Sequence, residues 1–144
     1  MIRRKNESTA EYIERWRIEY KKITPMYNGQ INATVNFTSE GFNHLIFKHG
    51  RRRPLKVIES RLPYIKLIPF ALSEGAVLGA VRVAEHTIYG KKRQVIFYPF
   101  VNTLHAKHED ITVKVIVKKV GNNGTFIFQS VMCTRLQKKP KNTP

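Results

Sequence analysis

The chain holds a single cysteine, Cys133, which excludes an intramolecular disulfide and any zinc site built on several thiolates. That cysteine sits in the apolar run FIFQSVMCT, where a thiol ordinarily behaves as a small hydrophobe. Acids are scarce too, 10 Asp and Glu against 26 Lys and Arg. They are scattered without a DxD-like cluster, which argues against a two-metal nuclease centre. No stretch approaches the ~20 consecutive apolar residues of a membrane-spanning helix. The start, MIRRKNEST, has no apolar segment of the kind a signal peptide needs. Cytoplasm is therefore the expected compartment, with delivery to another cell left open, and the N-x-S/T triplets at Asn6, Asn32, Asn36 and Asn123 carry no weight as glycosylation sites. Phosphate-cradling glycine loops, a GxSxG elbow and an HExxH pair are all missing. There is no internal repeat.

What remains is a basic chain able to build a core. Its 144 residues are 42% hydrophobic and 10% aromatic, enough to fold as one domain without metal or disulfide staples. The formal charge of +16 opposes compaction and favours polyanions, RNA or DNA foremost. An anionic membrane surface fits less well, because no long basic amphipathic helix with a clean apolar face is present.

Periodicity predicts a helix over residues 8–23. Ser8 and Glu11 can form a capping box, and Tyr12, Trp16, Tyr20 and Ile23 fall on one stripe, read as core rather than as a stacking platform. Pro25 and Asn28-Gly29 close this segment. Residues 30–37 alternate as a half-buried strand; whether it joins the main sheet or pairs separately is left open. Thr38 or Ser39 can cap a second helix that runs to His49, with Gly50 as its left-handed terminator. Residues 54–72 read as helix broken at Pro63 and Pro69. From Gly75 the period becomes two, predicting strands over 77–88, 94–104, 111–120 and 125–134, with turns at Tyr89-Gly90-Lys91-Lys92 and Gly121-Asn122-Asn123-Gly124. The expected fold is α+β, with the helices packed on one face of a four-stranded, or five-stranded, antiparallel sheet. Residues 1–27 read as a helical extension, 28–136 as the main domain and 137–144 as a basic, frayed tail.

The chemistry concentrates in TSEGFNHLIFKHGRRRP. On a helix over 39–49, Phe42, Leu45 and Ile46 share the apolar face. His44 and Lys48, four residues apart, converge on the other side, and His49 sits nearer the apolar face. Imidazoles move protons near neutral pH, and fixed cations stabilise charge developing on a phosphate. Arg51, Arg52, Arg53, Lys56 and Arg61 follow as phosphate-gripping candidates, with Lys91, Lys92 and Arg93 as a second basic group. In the strands, Arg82 and His86 share a face, Val81 and Val83 being expected to take the buried one. Tyr98 and His105 are further polar candidates, and Ser130 and Thr134 share a face of the last strand. His105 and His108 lack clear carboxylate partners beyond Glu109 and Asp110, and no metal or cofactor is expected.

The order of a strand, FxHLIFKHG, a basic loop, a proline-broken helix and a four-stranded meander resembles the phage-associated nucleases of the Barnase–EndoU–colicin–RelE superfamily, over residues 30–135. The resemblance places His44, Lys48 and His49 at the positions of that family's helix-borne site residues. It implies a metal-independent endoribonuclease, toxin-like or engaged in phage–host conflict. Polar strand residues (Ser130, Thr134, Tyr98 or Arg82) would complete the site. RNA cleavage by 2′-hydroxyl attack would leave 2′,3′-cyclic phosphate ends, with His44 as base and His49 or His86 as acid. RNA and an acidic antitoxin or immunity protein are the implied partners. The alternatives are a basic nucleic-acid-binding module without catalysis, or an interaction protein neutralised by an acidic partner. The RNA target and the oligomeric state stay open.

Overall fold

The computed structural model describes residues 3–121 and 124–138. Its first helix, α1 (Thr9–Lys21), opens on a reciprocal cap. The Ser8 hydroxyl accepts from the Glu11 backbone N–H at 3.1 Å, and the Ser8 N–H donates to the Glu11 carboxylate at 3.2 Å. Two donors that a helix start leaves unpaired are thereby satisfied. Tyr12, Trp16 and Tyr20 are buried with Ile13, while Ile23, beyond the helix end, is only partly buried. Both buried tyrosines keep their hydroxyls paired, Tyr12 donating to the Glu59 carbonyl and Tyr20 to that of Thr38.

A short hairpin of β1 (Met26–Asn28) and β2 (Ala33–Asn36) leads into α2 (Ser39–Ile46). Thr38 holds the cap position of α2, but its hydroxyl makes no capping bond. The chain then makes a second small hairpin, β3 (Phe47–Lys48) with β4 (Arg51–Arg52). The proline-broken segment follows expectation: α3 (Leu55–Arg61), a 3-10 turn (Leu62–Leu67) and α4 (Ile68–Ala71), with Pro63 and Pro69 each in a first turn, where their missing N–H costs nothing. The remaining strands are β5 (Val77–Leu78), β6 (Arg82–Ile88), β7 (Lys91–His105), β8 (Glu109–Val120) and β9 (Phe126–Gln137).

The sheet is larger than the four or five strands expected. Seven strands run in the order β1-β2-β9-β8-β7-β5, with β6 also paired to β7. It is mostly rather than wholly antiparallel: β2 lies parallel to β9 at Val35↔Phe126 and Asn36↔Ile127. Two physical reasons account for the difference. Strands of two to four residues carry too few alternations to be seen, and the β2–β9 pairing joins segments some ninety residues apart, beyond any local pattern. The sheet is also curled. The Gln30 side-chain amide, in the β1–β2 loop, donates to Ala76 and accepts from the Leu78 N–H of β5, so the two ends of the strand order are pinned together.

One core unites these elements. Trp16 and Tyr20 of α1, Phe42 and Leu45 of α2, Ile58, Ile65 and Ile68 of the broken helix, and Phe100, Val113, Val115, Val117, Phe128 and Val131 of the sheet all belong to it. Helix α1, within the segment read as an extension, thus shares its core with the main sheet. Cys133, in register with Val113, packs against the same core, and burial pushes its thiol up to about 11. Val81 and Val83, expected to be buried, are 45% and 57% exposed, because neither belongs to that core. Asn122 and Asn123 at the centre of the last hairpin loop, and the tail from 139, lie outside the described residues. Gln137, expected to begin a frayed tail, instead closes β9, and Lys138 bonds back to His108 and Ala106. Among the described residues no helix is long and apolar enough to cross a membrane.

Helix α2 lies hard against β9 at Gly41, where an added Cβ would come within 2.5 Å of the Phe128 carbonyl and 2.9 Å of the Tyr20 hydroxyl. The obstacle is backbone, which cannot swing aside. Gly41→Ala is expected to lower stability by about 1–3 kcal/mol, read from the urea midpoint. An unchanged midpoint would mean that α2 tolerates a shift away from the sheet.

Candidate nucleic-acid interface

Register sorts the strand side chains. Val113, Val115 and Val117 of β8 face the core, so Lys114, Ile116 and Lys118 face the other way, as alternation requires. Their cross-strand partners share that second face. Arg82 pairs with Phe97, and Phe97 with Lys118, giving a row across β6, β7 and β8 that spans about 10 Å at the usual ~4.8 Å strand spacing. The Arg82 guanidinium stacks 4.4 Å from the Phe97 ring centre, and the His86 ring lies 6.0 Å from the same ring. Arg82 and His86 do share a face, as expected.

His44 stands at the end of this row. It is half-buried on α2, and its imidazole is held below the ordinary histidine value, first by burial, then by the charges of Arg53, Lys118 and Arg61, with Glu40 opposing. Glu40, one turn earlier on α2, forms an ion pair with Lys118 of β8, which ties the helix to the sheet face. The Arg53 side chain donates from Nε to the His44 carbonyl at 3.0 Å. Arg53 is itself pushed below its ordinary value by burial and by the neighbouring Arg61. Neither arginine has an ion-pair partner among the described residues. A half-buried imidazole beside three crowded cations, of which only Lys118 is ion-paired, is a place where an anion is favoured.

Other expected site residues fall elsewhere. Helix α2 ends at Ile46, so Lys48 and His49 are not on it and the helical convergence of His44 with Lys48 does not form. Phe47 and Lys48 instead pair with Arg52 and Arg51 around His49-Gly50. Both turn residues have positive φ, 52° and 74°, the requirement of a two-residue type I′ hairpin. Lys48, His49, Arg51 and Arg52 are all exposed on this hairpin. Its Phe47–Arg52 pair lines a cleft of about 550 Å³ against Ala10, Ile13 and Arg17 of α1. Lys56 is exposed in the first turn of α3.

Tyr98 lies on the core side, its ring 5.2 Å from that of Phe126. Ser130 is buried in register with Ile116, on the second face; counting along β8, it stands one alternation from Lys118. Thr134 is in register with Thr112, whose hydroxyl bonds that of Thr103 at 3.1 Å. This threonine row lies about 20 Å along β8 from Lys118. His105 bonds Asp110 at 3.0 Å, and no group of three or more His, Cys, Asp or Glu side chains that could hold a metal occurs among the described residues. Lys91, Lys92 and Arg93 are exposed at the start of β7.

The site therefore gathers His44, Arg53 and Arg61 from the expected set, sets Arg82 and His86 along the same face, and adds Lys118, Glu40 and Phe97. Lys118 could have been found from the alternation VKVIVK, which separates the lysines from the core valines. Comparison with known proteins adds no assignment: no family model, curated protein or solved structure matches the chain.

Proposed function

We propose that the chain is a metal-independent endoribonuclease whose centre lies where α2 meets the second face of the sheet, taking the helices to cover the first. The carrying observation is that His44 is biased toward its neutral form while seated among Arg53, Lys118 and Arg61. A neutral imidazole accepts a proton, and the cations attract the phosphodiester that brings one.

In this reading His44 takes the proton of the ribose 2′-hydroxyl as O2′ bonds to phosphorus. The bond from phosphorus to the 5′-oxygen breaks, and this oxygen gains its proton from water at the open face, since His86 stands about 14 Å along β6 from Arg82, opposite Arg93. Lys118, Arg53 and Arg61 stabilise the added negative charge on the non-bridging oxygens. The products are a 2′,3′-cyclic phosphate and a 5′-hydroxyl. The partition agrees with the resemblance to Barnase–EndoU–colicin–RelE nucleases in placing His44 at the centre, and moves Lys48 and His49 to an outlying basic hairpin.

The test is incubation of total RNA with purified protein in excess EDTA, followed by analysis of the ends. Cleavage with cyclic-phosphate ends is expected, and Lys118→Gln is expected to slow it by about 10²–10³-fold with the far-ultraviolet circular dichroism unchanged. RNA that stays intact but shifts on a gel would replace this reading with a binding module.

A further inference from the structure

The turn joining β6 to β7 presents Tyr89 in a way that packing does not explain. Tyr89 is 100% exposed and has φ of 49°, with Gly90 at 75°. This is again a type I′ turn, whose first position suits Asn, Asp or Gly; a bulky aromatic in that backbone region is an outlier. The residue therefore holds a disfavoured backbone conformation, while its fully exposed ring packs against nothing that would compensate for it.

Its surroundings are basic and continuous with the site. Ile88 pairs with Lys91 and His86 with Arg93, and these four lie on the face that carries Arg82, Phe97 and Lys118. Lys92 points to the other side, where Glu85 lies 3.9 Å away. From Phe97 to Lys91 is about 20 Å along β7, so a strip of cations runs from His44 to the tip.

We infer that Tyr89 is a base-stacking contact for single-stranded RNA, holding a nucleotide several positions from the bond at His44 while Lys91 and Arg93 grip the intervening phosphates. A flat aromatic face beside cations is the arrangement that binds unpaired strands, since every base offers a face to stack and a duplex hides its own. This rests on the reading of the chain as acting on RNA, but not on its cleaving RNA.

The test uses a 2′-O-methyl oligouridine, which offers bases and phosphates but no attacking hydroxyl, and an abasic strand of equal length. Tyr89→Asn is the informative variant, because Asn-Gly favours this turn and the hairpin is kept. It is expected to bind oligouridine about tenfold to a hundredfold more weakly than the unaltered protein, with no change toward the abasic strand. Tyr89→Trp is expected to restore affinity, its emission quenched by oligouridine, against a buried Trp16 that the strand cannot reach. Equal affinity of Tyr89→Asn and the unaltered protein, equal losses on both strands, or no oligouridine binding at all would overturn the inference. Failure of the cleavage assay with these binding results intact would overturn only the nuclease reading.

Discussion

His44→Ala is expected to slow RNA cleavage by about 10²–10⁴-fold while leaving the unfolding midpoint near that of the unaltered protein. The side chain is half-buried on α2 beside three cations and one carboxylate, and removing an imidazole already biased toward neutrality relieves rather than creates charge strain. The pH dependence gives a sharper signature. A base works deprotonated, so the acidic limb of the rate profile should rise through an inflection below the ordinary histidine value of ~6.5. The sign for stability is consistent: a histidine whose folded pKa is depressed favours folding above its unfolded value, and that contribution is lost as pH falls toward the folded one. The unaltered protein should therefore lose more stability than His44→Ala below about pH 6.5. Identical acid-side stability curves and an inflection at or above the ordinary value would remove His44 from the base role.

The residues explain why some of this was readable in advance. The Ser8–Glu11 cap, the Tyr12-Trp16-Tyr20 stripe and the breaks at Pro63 and Pro69 depend on neighbours within a turn or two, and local rules reach that far. His49-Gly50, expected to end α2, turns a hairpin instead, and the difference has a physical reason. A helix terminator and a type I′ turn both place glycine at positive φ, and the tie is broken only because His49 also takes φ of 52°. Alternation correctly put Arg82 and His86 on one side of β6, but burial of the opposite side depends on what lies above it, and Val83 is left exposed. The same limit hid the Lys118–His44 neighbourhood, because residues 74 positions apart meet only through the packing of α2 on β9. The parallel β2–β9 pair and the Gln30 bridge are non-local in the same sense.

Trp16→Ala is expected to destabilise the whole domain, by about 3–5 kcal/mol of the ~5–15 kcal/mol typical of a folded domain. The indole is fully buried, Arg15 and Lys66 lie against its ring, and its neighbours include side chains of the 3-10 turn as well as α1. If α1 were a detachable extension, the loss would stay local: amide exchange would speed up across Thr9–Lys21 and leave the central strands protected. One shared core predicts the opposite, namely that the amides of Val113, Val115 and Val117 exchange faster by the same free energy as those of α1. The urea midpoint should fall with its slope unchanged, since the surface exposed on unfolding is nearly the same. Protection retained in β8 with α1 released would show that the sheet and α2 hold the cationic face without the first helix. Coupled loss would mean that α1, far from Lys118 in sequence, sets the stability of the surface on which His44 stands.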